Sequence, residues 1–191
     1  MIRRFTWMAS LLVVMAATVM VALHVQGTAA QEKADEKSEF SRTTIDLGVV
    51  VSDVDKSVKF YTEALGFQEA RGFSVAGPFC KDAGLTNNKP LKIRVLVLGK
   101  GPSATKLKLM TVADVKTKKS DNSYIHSQSG YSYVTVFVND TNAAVKRLTK
   151  AGVKPIAKGP VQIPGSKAYL TVVRDPDGNL IELVGPKASG E

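Results

Sequence analysis

RDPDGNLIELV, residues Arg174 to Val184, is a turn that runs into a strand. Asp175-Pro176-Asp177-Gly178 carries proline where a turn needs its restricted φ, and glycine where the chain leaves the turn. AYLTVV precedes it and NLIELV follows, both rich in β-branched and apolar residues, so the whole predicts a β-hairpin. Alternation along the second strand puts Leu180, Glu182 and Val184 on one face and Ile181 and Leu183 on the other. Glu182 is then a carboxylate on a largely apolar surface, which requires water, a partner or a metal. A solvent-facing glutamate on an edge strand is the plain alternative.

Upstream, the same layout occurs in weaker form. Thr43 to Ser52 contains IDLGVVV, a strand, and Asp53 can cap a following helix by accepting from a first-turn N–H. Val54, Val58, Tyr61 and Leu65 recur at near-helical spacing, and Gly66 stops the helix. Phe67 to Phe73, KIRVLVL and KLKLMTV are predicted strands; Cys80 lies between them in a 74–90 connection with room for one or two helical turns. SYVTVFV (132–138) starts the second round. Asp140 caps a helix with Ala144, Val145, Leu148 and Ala151 on one face, Gly152 ends it, and VKPIAKGPVQI is strand or loop before the closing hairpin. Strand, Asp-capped helix, glycine stop and hairpin thus occur at 43–112 and again at 131–185. The polar, lysine- and serine-rich segment 113–130, with His126, links them, and 186–191 is a tail. Each unit leaves an apolar sheet face open, so the two are expected to share one core.

Composition narrows the function classes. The chain has 191 residues, 44% of them hydrophobic, and a net charge of +9. MIRR followed by an almost wholly apolar Phe5 to Val25 and by Gly27-Thr28-Ala29-Ala30 reads as a secretory signal with cleavage after Ala30. The expectation is export, to a periplasm or outside the cell; an uncleaved anchor at residues 5–25, the sole expected membrane contact, is the alternative. Losing residues 1–30, which hold Arg3 and Arg4 and no acid, leaves a charge of about +7. Gln31 to Arg42 is charged without an apolar periodicity and reads as a flexible tether. The remaining basic residues are scattered, apart from a small cluster at Lys116, Lys118 and Lys119, and they do not interleave with aromatics, so nucleic acid is not an expected partner. The single cysteine, Cys80, reads as a buried thiol.

DLGVVVSDVDKSVKFYTEALGF (46–67) and RDPDGNLIELV (174–184) together resemble the vicinal oxygen chelate superfamily, which includes glyoxalase I, bleomycin-resistance proteins and extradiol dioxygenases. The resemblance implies an α+β domain over 43–185: two βαβββ modules whose curved mixed sheets enclose a cavity for a small molecule, often with a divalent metal. The modules pair within a chain or between two chains, so a homodimer is a further expectation.

Carried over position by position, the family's ligand places fall at Asp46, Lys108, Tyr133 and Glu182. Metal-binding members usually have His or Glu there, and Glu182 alone keeps the common residue. With His126 the sole histidine beyond residue 30, a nitrogen-rich zinc or nickel site is disfavoured. Asp46 and Glu182, with Tyr133, would suit Mg²⁺, Mn²⁺ or Ca²⁺, and His126 could join the binding site if its loop folds over. A metal-dependent lyase, isomerase or dioxygenase is one expectation, with Glu182 and Tyr133 as base and acid in a proton-transfer variant. The other is a metal-free, bleomycin-resistance-type pocket that sequesters a ligand, with Lys108 paired to Glu182 across the cavity.

Overall fold

The computed structural model describes residues 40–188. The expected signal segment and most of the tether lie outside them. Among the described residues, no helix is long and apolar enough to cross a membrane. From Thr44 onward the chain forms one compact unit.

The first module contains β1 (Leu47–Val50), α1 (Val54–Lys59), β2 (Gln68–Val75), α2 (Gly77–Asp82), β3 (Leu91–Leu98) and β4 (Thr105–Val112). The second contains β5 (Tyr133–Phe137), α3 (Thr141–Lys150), β6 (Val161–Gln162), β7 (Tyr169–Arg174) and β8 (Leu180–Gly185). Each builds a four-stranded mixed sheet, ordered β1-β4-β3-β2 and β5-β8-β7-β6. In both, the opening strand lies parallel to the last one: Gly48 faces Lys108, and Thr135 faces Glu182. This is the expected α+β architecture of two repeated modules. β8 is an interior strand between β5 and β7, so Glu182 is not on an edge.

The caps behave as the sequence requires. Asp53 accepts from the Lys56 N–H, and Asp140 accepts from the Asn142 N–H. Gly66 and Gly152 end the two helical segments with φ of 84° and 72°, left-handed values that a side chain would strain. The first helix differs from expectation in one respect. After Lys59 the next turn, Phe60–Ala64, widens to π-helical geometry, with Phe60, Tyr61 and Ala64 buried.

That core is shared. Val58, Tyr61, Ala64 and Leu65 of the first helical segment pack with Leu107 and Leu109 of β4 in one cluster. Leu148 of α3 and Ile181 and Leu183 of β8 complete it. One face of each sheet is thereby buried against the helices. The opposite face of the first sheet is covered over β3 by α2, where Cys80 packs against Leu91, Ile93 and Val95. The tail is not free at its start. Thr141 donates from its backbone N–H and its hydroxyl to the Pro186 carbonyl, and Asp140 accepts from the Ala188 N–H.

Candidate functional site

The two motifs that frame the chain meet at Asp175. This carboxylate is 5% exposed. Its Oδ2 accepts from the Tyr61 hydroxyl at 2.9 Å and from the Asn179 amide at 2.9 Å; its Oδ1 accepts from the backbone N–H groups of Asp177 and Asn179 at 3.0 and 2.8 Å. Four donors on one buried carboxylate replace the water it lost. Burial, and then the negative charge of Asp175, pushes the Tyr61 hydroxyl pKa well above its usual 10.0. One residue on in the turn, Asp177 accepts from the Ser52 N–H at 3.1 Å and also from its hydroxyl. The DPDG turn of the second module is therefore bolted to the strand end and helix of the first. The sequence marked Asp175 only as a turn residue and Tyr61 only as core. The available signal was that a tyrosine on a buried helical face needs a partner for its hydroxyl.

Beside this junction lies a cleft of about 1050 Å³. Its two long walls are β1 and β5, each the edge strand of its sheet. The floor is the shared core, with Tyr61, Leu65, Phe67, Leu107, Val136 and Ile181. Alternation along β5 keeps Val136 in that floor and turns Tyr133 and Phe137 outward, 51% and 80% exposed. Thr117 to Ser120 of the inter-module segment form part of the rim. Arg174 ties this segment down, donating to the Asn122 and Ser123 carbonyls at 2.6 and 3.0 Å.

The residues predicted for the site are divided. Asp46 and Tyr133 line the cleft. Lys108 does not reach across to Glu182: its ammonium pairs with Asp46 at 3.0 Å, inside its own module. The reason is register. Asp46 lies two residues before Gly48, the partner of Lys108 in the parallel ladder, so both side chains emerge on the same sheet face. Glu182 accepts from the Thr135 hydroxyl at 2.8 Å; Thr135 lines the cleft, and Glu182 stands behind it. His126 stacks on Tyr124 in the inter-module loop, with ring centroids 5.5 Å apart, and is not part of the lining. The structure thus brings Asp46 and Tyr133 to one cavity and leaves His126 outside it. Lys118 and Lys119, read in the sequence as ordinary surface charge, join the rim.

A family model described as the Glyoxalase/Bleomycin resistance protein/Dioxygenase superfamily matches residues 43–183. The chain belongs to this superfamily. A "Probable lactoylglutathione lyase" of Vibrio parahaemolyticus is 27% identical over 138 residues, spanning 72% of this chain and 86% of the relative. A protein of the same name from Vibrio cholerae is 26% identical over 139 residues, with the same coverage. Among solved structures, a glyoxalase family protein of Bacillus cereus superposes with a TM-score of 0.65 at 22% identity, over 80% of this chain and 99% of the other. The trypanothione-dependent glyoxalase I of Leishmania major gives 0.53 at 29% identity, over 76% and 87%. Superfamily members bind small molecules, often dimerise and commonly hold a divalent metal.

The side chains present do not fit a resident divalent metal. Among the described residues, no three His, Cys, Asp or Glu side chains gather where they could share an ion. Of the four places the family uses, Lys108 carries an ammonium that repels a cation and already neutralises Asp46. Tyr133 is a poor ligand unless ionised, and Glu182 is engaged by Thr135. The cleft can still do what an apolar cavity with a few polar groups does: bury a ring or alkyl body and orient it through hydroxyls and edge-strand amides.

Proposed function

We propose that this protein is a small-molecule-binding member of the superfamily that holds its ligand in the β1–β5 cleft without a resident metal. The observation that carries the reading is the Asp46–Lys108 ion pair. A fixed ammonium beside the carboxylate supplies the positive charge that a divalent ion would otherwise bring to that position. The size of the cleft and its apolar floor support a ligand of cofactor or drug dimensions.

Calorimetric titration of the full chain with Mn²⁺, Mg²⁺, Zn²⁺ and Ca²⁺ tests this. No saturable heat is expected. Lys108→Glu, which places a second carboxylate beside Asp46, is expected to introduce binding of Mn²⁺. The competing reading is a metal-dependent lyase with Asp46 and Glu182 as ligands; the Vibrio relatives carry the name of a probable lyase. Saturable binding to the unmodified chain that Glu182→Ala abolishes would establish that reading in place of ours. We further propose that residues 1–30 direct export. An exported form starting at Gln31 would support cleavage, and an intact Met1 in the membrane fraction would support the anchor instead.

A further inference from the structure

We propose that the cleft takes an organic anion: a ring-sized apolar body with an ionised acid group, held at the rim by Lys118 and Lys119. The inference rests on the cleft being the ligand site and adds the ligand's charge and shape.

Four side chains with full charges line the cleft: Asp46, Asp177, Lys118 and Lys119. The two acids are already engaged. Asp46 is cancelled by Lys108 at 3.0 Å, and Asp177 takes the N–H and the hydroxyl of Ser52. The two lysines are not engaged: among the described residues neither forms an ion pair. The positive charge left available to a ligand is therefore that of Lys118 and Lys119. An ionised acid group on a ligand meets these two ammonium groups, and a neutral ligand leaves them unused.

The position of the lysines is set by the fold. Arg174 fixes the Asn122 and Ser123 carbonyls, and the Asn122 amide donates to the Asn179 side chain at 3.2 Å, so the segment just after Lys119 is tied to the turn that lines the same cleft. The buried part of the lining is apolar, with Leu65, Phe67, Leu107, Val136 and Ile181. A charged rim over an apolar floor selects an amphiphile, with its acid group in the wetter outer layer and its hydrocarbon below. Lysine is a flexible point charge with no fork to match a planar doubly bound group, which suits an acid group without demanding one geometry.

A matched pair of fluorescent probes isolates the charge. 8-Anilinonaphthalene-1-sulfonate and N-phenyl-1-naphthylamine share an aromatic body, and only the first carries an anion. Titrated into the full chain, the anionic probe is expected to bind about tenfold more tightly. It is expected to fall to the level of the neutral probe in Lys118→Gln/Lys119→Gln, while the neutral probe is unaffected. 2-Naphthoate is expected to displace the anionic probe at concentrations where 2-naphthamide does not. Equal binding of both probes, or an anionic probe indifferent to the double substitution, overturns the charge assignment and leaves the cleft as a site for a neutral ligand. Failure of both probes to bind, or binding that Tyr133→Ala and Phe137→Ala leave unchanged, overturns the cleft as the ligand site and this inference with it.

Discussion

The two modules are built on one plan and have diverged in what they do with it. The first has eight-residue strands β2, β3 and β4 and an added helix, α2, that seals part of its outer sheet face. The second has a two-residue β6 and no such helix. At equivalent places in the ladders stand Lys108 with Asp46, and Glu182 with Tyr133. In the first module the pair closes on itself as an ion pair. In the second, Glu182 turns to Thr135 and leaves Tyr133 half exposed at the cleft. Duplication supplied two similar half-sites. Lys108 made one of them electrically self-contained, so the other presents the more open polar chemistry.

What joins the modules is harder to lose than what distinguishes them. Asp175→Ala would orphan the Tyr61 hydroxyl and the Asp177 and Asn179 amides at the module junction together. Urea unfolding is expected to show a loss of about 4 kcal/mol. A loss below about 1 kcal/mol would mean that the Asp175 hydrogen bonds contribute little to holding the junction. The next effect separates the modules. Lys108→Ala takes the ammonium at 3.0 Å away from Asp46, whose side chain is only 15% exposed. The expected cost is about 2 kcal/mol, discounted from a fully buried pair because the lysine itself is a third exposed. Thr135→Val at the matching place removes one hydrogen bond to Glu182 and is expected to cost about 1 kcal/mol or less. Equal costs at the two places would break the contrast between a closed and an open half-site.

Much of this architecture was legible because it is written in local signals. Aspartate caps, glycine stops and period-2 strands depend on neighbouring residues, and the same order appearing twice announced the modules. The family motifs lay in the same stretches. Asp46 and Tyr133 could be placed at the cleft because the resemblance to the family marks their positions as ligand places. The partner of Lys108 could not be read. Whether it reaches across the cavity or back to Asp46 depends on how far apart the half-sites stand, and that is set by packing of α1, the π-helical turn and α3. The clamp at Asp175 was hidden for a similar reason: Tyr61 and Asp175 are 114 residues apart, and each has a sufficient local explanation. Lys118 and Lys119 looked like solvated charge because nothing local says that their segment is pinned beside a cavity by Arg174.

The smallest expected effect tests the clamp through a proton. Burial raises the Tyr61 pKa above its ordinary value of 10.0, with Asp175 adding to the shift. A group whose pKa is raised by folding contributes stability that is complete below its unfolded value and is lost as the pH climbs past it. The unfolded chain releases the Tyr61 proton near pH 10 while the folded chain retains it, so the loss begins there. At about pH 10.5 it amounts to about 0.8 kcal/mol. Lysines and other tyrosines titrate in the same range, so the informative quantity is the difference between the native chain and Tyr61→Phe. The substituted chain starts less stable, having lost the bond to Asp175, but it lacks this proton. The gap between the two urea midpoints should therefore narrow between pH 9 and pH 10.5. A gap that stays constant would mean that Tyr61 ionises as freely when folded as when unfolded, which a hydroxyl enclosed against the Asp175 carboxylate cannot do.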